Sequence, residues 1–191
     1  MSSGIHRRPQ WFRIIVGLSF LAVCFLLASC ATPPPKQFNP DVRGPQMFVE
    51  PESVSLGVAA MSGTPIVFKG NGFNPKDSVF IQLLSVKKGD KIIHIPIADA
   101  EIDEKGGFQA QVGTLVKVSE FLNAAIGSNE KMENIILVSQ PPIPPGTYTA
   151  RAVSMESDKI AVCKLTFTEP SVMDNLKDWL GGVMGKIVWK Q

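Results

Sequence analysis

The 191-residue sequence is short of the side chains on which most enzymes depend, with three cysteines and two histidines. Three cysteines are an odd number and too few for a disulfide framework. A dominant charge is missing too: 19 Lys and Arg face 17 Asp and Glu, for a net charge of +2. With 45% hydrophobic residues, that balance excludes a disordered acidic or basic tail and a nucleic-acid binder working through bulk charge. No acid stands before Asp41. No apolar run reaches the roughly 20 residues that a membrane-spanning helix needs.

What is present begins with an address. His6, Arg7, Arg8 and Arg13 precede the apolar stretch from Ile14 to Ala28, which is interrupted only by Gly17 and Ser19. A basic segment followed by an apolar one of about 7–15 residues predicts a secretory signal, here over 1–29. At its end stands Leu27-Ala28-Ser29-Cys30. The small residues let a peptidase approach the backbone, and the thiolate is the soft nucleophile that accepts a lipid. This segment resembles the lipobox of bacterial lipoproteins. The resemblance implies that Cys30 carries a diacylglycerol and a fatty acid such as palmitate, with no other cofactor, and anchors an exported chain to a cell-envelope membrane. Ala31 stands where an aspartate would favour inner-membrane retention, so the resemblance implies the outer membrane where two exist. Without residues 1–29 the chain loses three arginines and keeps 16 basic and 17 acidic side chains, one histidine (His94) and two cysteines (Cys30 and Cys163). With Cys30 lipidated, no disulfide can form within the chain, and the domain must rest on its apolar core. At roughly 120 residues it is large enough to do so.

Five prolines between Pro33 and Pro45 predict an extended tether over 30–46, in the polyproline II form. Residues 47–168 read as β. Ser78–Val86, Lys91–Ile97, Phe108–Val112, Thr147–Val153 and Ile160–Thr168 are rich in strand formers or alternate cleanly, and Gly and Pro turns divide them. The pattern predicts a mainly β fold, an antiparallel β-sandwich of about seven strands. One helical insertion is expected at Glu120–Ile126, capped by Ser119 and stopped by Gly127, with an exposed loop from Ser128 to Asn134. Residues 169–191 predict a C-terminal amphipathic helix: Ser171 and Asp174 suit a capping box, and Val172, Leu176, Trp179, Leu180, Val183, Met184, Ile187 and Val188 fall at helical spacings.

Gly70-x-Gly72-Phe73-x-Pro75-x-Asp77-x-Val79-x-Ile81, with Pro145-Gly146-Thr147-Tyr148-x-Ala150-x-Ala152 downstream, resembles the bacterial immunoglobulin-like domains, including the TIG-like group. The resemblance covers roughly 48–168. It implies an immunoglobulin-like sandwich in which Phe73 plugs a tight turn and Tyr148 forms a corner hydrogen bond. Against the antibody pattern, the inter-sheet disulfide and the core tryptophan are both missing. A fold of this kind does not carry a function with it.

Three constellations invite chemistry. Gly70-x-Gly72 lacks the third glycine and the following helix that a phosphate cradle uses, so it reads as a turn. Asp99, Glu101 and Asp103, with Glu104, put three carboxylates on one strand face, a weak candidate for Ca²⁺. As an EF-hand loop the run fails, because Glu104 takes the glycine position and Ala110 replaces the bidentate acid. Cys163 is the one candidate nucleophile and His94 the one imidazole to activate it. Yet Cys163 alternates in phase with Leu165 and Phe167 and reads as a core thiol. The expected function is therefore a non-catalytic binding or assembly module on a lipid anchor, with an envelope protein or glycan as partner and no nucleic acid. The alternative is a lipoprotein hydrolase or metal-dependent enzyme using Cys163 with His94, or the Asp99–Glu104 acids. The tail helix is expected to dock its apolar face on protein, either its own domain or a second copy, with the membrane surface as the other choice. Its mixture of Asp and Lys argues against lipid.

Overall fold

Period-two alternation becomes strand wherever one side of the chain has a core to face. Ile160–Thr168 (β10) buries Ala161, Leu165 and Phe167 and leaves Val162, Lys164 and Thr168 exposed. The computed structural model describes residues 36–190, so the expected signal and the lipobox Leu27-Ala28-Ser29-Cys30 lie outside the described residues. The described chain is mainly β and forms three sheets.

The largest sheet has the order β2 (Ser53–Ser55), β10, β9 (Gly146–Ser154), β4 (Ser78–Lys88) and β5 (Lys91–Glu101). All its neighbours are antiparallel except β2 with β10. Pro96 is tolerated in β5 because that strand lies at the sheet edge, where a missing N–H costs no ladder bond. A second sheet joins β1 (Gln46–Glu50), β3 (Val67–Asn71) and β6 (Phe108–Gln111). The third joins β11 (Ile187–Trp189), β8 (Asn134–Val138) and β7 (Ala124–Ser128), with β11 parallel to β8. Val49, Phe68 and Ala110 from the second sheet share one core with Ile81, Ala152 and Leu165 from the first. Phe167 sits within it, 4.9 Å ring to ring from Phe121 and 5.7 Å from Tyr148.

Several expectations hold in detail. Phe73 is buried in its turn, edge-on to Phe108 at 5.3 Å. The Tyr148 hydroxyl donates to the Pro144 carbonyl, four residues upstream, at 2.6 Å. Ser171 and Asp174 form the expected capping box.

Other expectations need correcting. The helical insertion comes earlier than Glu120–Ile126. Helix α2 starts at Thr114–Val116 and continues as a π-helical turn over Lys117–Phe121. Asn123, at φ 48°, then reverses the chain, and Ala124–Ser128 pairs with Asn134–Val138 as a hairpin. The local helix preference of Ala124-Ala125 yields to cross-strand partners that no local window contains. A short helix, α1 (Val58–Gly63), was not expected at all. At the end of the expected tether, Phe38 packs on Phe48 with ring centroids 5.0 Å apart, tilted by 46°, and the Gln46 side chain bonds the Asn39 backbone. The tail helix, α3, covers only Val172–Val183, after which the chain turns and enters β11.

Candidate functional site

The candidate nucleophile and base do not meet. Cys163, Ala150, Leu83 and Ile95 form one row across four neighbouring strands. Three strand spacings, about 14 Å, separate the first from the last. Cys163 is half-buried against the core, on the face expected for it. His94 is exposed and points to the opposite face from its neighbour Ile95. Its Nδ1 accepts the N–H of Ser85 at 3.1 Å, at an irregular point in the β4–β5 pairing.

The acidic run is not gathered either. Asp99 and Glu101 stand exposed on β5, while the Asp103 carboxylate folds back to accept the N–H groups of Lys105 and Gly107, both at 2.8 Å. The Gly107 bond, then the Lys105 bond, hold its carboxyl below the usual carboxylate range. Asp103 is thus a turn residue. Among the described residues, no three His, Cys, Asp or Glu side chains are grouped to hold a metal ion. Asp77, from the Gly70–Ile81 run, is buried and also structural. It accepts from the backbone of Ser78 and Glu156 and from the hydroxyls of Ser154 and Ser157, tying the turn after β9 to the start of β4. The Ser154 hydroxyl is the largest cause of its lowered pKa.

The unexpected arrangement surrounds α3. This helix does pack on its own domain, but through the face that the apolar pattern assigns to solvent. Asp174 and Asp178 are 9% and 7% exposed. Each oxygen of the Asp178 carboxylate takes a backbone N–H from the first turn of α1, Val58 and Ala59, both at 2.8 Å. These amides have no partner inside a helix, and the helix dipole makes a carboxylate there favourable. The Asp174 carboxylate accepts from the Ser55 hydroxyl at 2.8 Å and the Ser171 hydroxyl at 2.7 Å. The Ser171 hydroxyl, then Ser55, hold its pKa below 3.8.

Two glycines permit the approach. A Cβ on Gly57 would lie 2.7 Å from the Asp174 Cβ, and one on Gly181 would lie 2.6 Å from Ile187 Cδ1. At its other end α1 meets Lys117, a buried lysine of α2 whose Nζ donates to the carbonyls of Ser62 and Thr64, both at 2.9 Å. Burial lowers its pKa. A six-residue helix therefore has an anion at its N-terminus and a cation at its C-terminus.

With the acids turned inward, the apolar side of α3 is outward. Val172 is 88% exposed, Val183 68% and Trp179 61%, and Leu176 is exposed beside them. Two grooves border the helix. One, of about 390 Å³, is lined by apolar side chains including Val118, Ile136 and Met184, and its only ionisable residues are Lys177 and Lys186. The other, of about 320 Å³, is framed by Trp179 and Trp189. Among the described residues no helix is long and apolar enough to cross a membrane.

The inward acids were missed in the sequence. Their signal was present: Asp174 and Asp178 are four apart and share one helical face, and Gly57-Val58 offers a helix start without a capping side chain.

No protein-family model and no curated protein matches the chain. Solved structures do align with it. Macromomycin is 16% identical over 65% of this chain and all of its own, with a TM-score of 0.37. The β-glucosidase EmGH1 of Erythrobacter marinus is 13% identical over 65% of this chain, at a TM-score of 0.35, and only 15% of the enzyme is covered. The CARDB domain of the PF1109 protein from Pyrococcus furiosus is 8% identical over 70% of this chain and all of its own, at 0.28. At such scores none of them assigns an activity to this chain.

Proposed function

We propose that this chain is a bacterial lipoprotein, exported and held to an envelope membrane by lipid on Cys30, whose immunoglobulin-like sandwich serves as a non-catalytic binding or assembly module. The membrane is the outer one where the cell has two, and the partner is an envelope protein or glycan. The observation that carries the reading is the position of Leu27-Ala28-Ser29-Cys30 directly after the apolar stretch. The sandwich reading draws support from the core shared by two sheets and from the Tyr148–Pro144 bond. The non-catalytic reading draws support from the three strand spacings, about 14 Å, between Cys163 and Ile95 beside His94, and from the opposite faces of Cys163 and His94.

The test is Cys30→Ser in the native host. A serine hydroxyl lacks the thiolate chemistry of lipid transfer. The variant should persist at precursor mass without lipid, and a variant trimmed and membrane-bound like the wild type would overturn the anchor. A thiol reagent tests the enzyme alternative: Cys163 should label slowly until denaturant is added. Affinity capture of the lipidated protein from its own membranes would then identify the partner.

A further inference from the structure

The outward face of α3 needs an occupant. We infer that it docks on the surface of a bilayer containing anionic phospholipid, as a second membrane contact besides the Cys30 anchor. Three observations carry this, and the third rests on the lipoprotein reading above.

The first is the distribution of charge. In sequence the tail mixes Asp with Lys, a poor match to an anionic surface. In the fold both acids are removed from the outer face: Asp174 bonds Ser55 and Ser171, and Asp178 bonds the α1 amides. The charged side chains still exposed along Val172–Lys190 are Lys177, Lys186 and Lys190, all positive. Internal capping has turned a mixed helix into an apolar face with a basic border, which is the pattern of an interfacial helix.

The second is the kind of apolar residue exposed. Trp179 and Trp189 are 61% and 57% exposed and frame one groove beside the helix. An indole has an apolar body and one N–H donor, and it is favoured where hydrocarbon meets headgroups. The other groove beside α3 is apolar and has Lys177 and Lys186 in its lining, two cations that can meet lipid phosphates.

The third is reach. Eight residues lead from Cys30 to Phe38, where the chain is pinned on Phe48. Even fully extended, eight residues reach no further than about 29 Å. A lipidated Cys30 therefore keeps the domain beside the bilayer, where a weakly binding face meets lipid at high effective concentration. With several acyl chains on Cys30 the anchor holds by itself, and the helix contact sets how the domain lies on the bilayer.

The test uses the full chain carrying Trp11→Phe, so that Trp179 and Trp189 are its only tryptophans. It is reconstituted into vesicles of phosphatidylglycerol and phosphatidylcholine, with or without bromine on the acyl chains. Docking predicts a blue shift and loss of most of the indole emission to brominated lipid. Leu176→Glu with Val183→Glu should abolish that quenching without changing the melting temperature, since both positions are exposed. This variant keeps the anchor, so its loss isolates the helix face. Emission indifferent to brominated lipid in the Trp11→Phe chain would overturn docking. So would emission shielded from both bromolipid and acrylamide in a sedimenting dimer, which would assign the face to a second copy. The mass of the Cys30 peptide from the same preparation reports the anchor separately. Quenching without lipid on Cys30 would sink the anchor and leave docking standing, and lipid without quenching would do the reverse.

Discussion

Strand β10 and helix α3 are both amphipathic, only a short link apart in sequence, and they solve the same problem in opposite ways. β10 turns Leu165 and Phe167 inward and leaves lysine and threonine outside. α3 turns Asp174 and Asp178 inward and leaves valine, leucine and tryptophan outside. Hydrophobic burial decides the first case, because the neighbouring strands present apolar side chains. In the second, the surface on offer is the start of α1 with its uncapped amides and the Ser55 hydroxyl. An apolar face laid there would leave buried N–H groups unpaired, at about 1–3 kcal/mol each. Amphipathic pattern shows that an element has two faces. Which one goes inward depends on the chemistry of the surface it meets.

Four measurements test this contrast. The largest effect belongs to the ordinary core. Leu165 is fully buried, and Leu165→Ala should cost about 2–5 kcal/mol in denaturant unfolding. A variant as stable as wild type would mean that β10 presents its other face to the core. Next comes the inverted contact. Asp178→Ala strands the Val58 and Ala59 amides and should cost about 1–3 kcal/mol, although it removes no apolar surface. An unchanged denaturation midpoint would show that α3 is not held through its acids.

Protons act more gently on the Asp174 end of this packing, because a protonated carboxyl still accepts a hydrogen bond. Asp174 has a folded pKa below 3.8, so its stabilising contribution is complete above that value and is lost as pH falls through the lower folded one. In that acid range Asp174→Asn should show a flatter dependence of melting temperature on pH than wild type. Identical slopes would remove Asp174 from the account. The smallest effect is expected on the outer face, where Leu176→Gln should change stability by no more than about 0.5 kcal/mol. A loss comparable to Leu165→Ala would mean that Leu176 is covered in the free protein.

The elements legible in the sequence are those whose partners are implied by their own pattern. β4, β9 and β10 alternate because a core lies on one side, and Tyr148 and Phe73 follow from their turns. The Ser171–Asp174 capping box is local and was equally legible. Ala124–Ile126 looked helical because its strand partners, Ile136–Val138 and through them Ile187–Trp189, lie far outside a helical window. The acids of α3 looked solvent-facing because their partners at Ser55, Val58 and Ala59 are about 120 positions away, as the 119 and 120 residue separations record. Of the candidate site residues, Cys163 took its expected core-facing place. His94 and Asp103 proved to cap backbone amides, a use that their spacing did not distinguish from catalysis or metal binding.

The two-ended clamp on α1 has a consequence for how the chain is made. Six residues are too few to hold a helix alone in water. Val58–Gly63 depends on Lys117 for one end and Asp178 for the other, segments that follow it by more than 50 and by 120 positions. A polypeptide emerging N-terminus first therefore carries this stretch unfinished until Asp178 is out. A stop codon or a protease cut ahead of Val172 would loosen structure more than a hundred positions upstream.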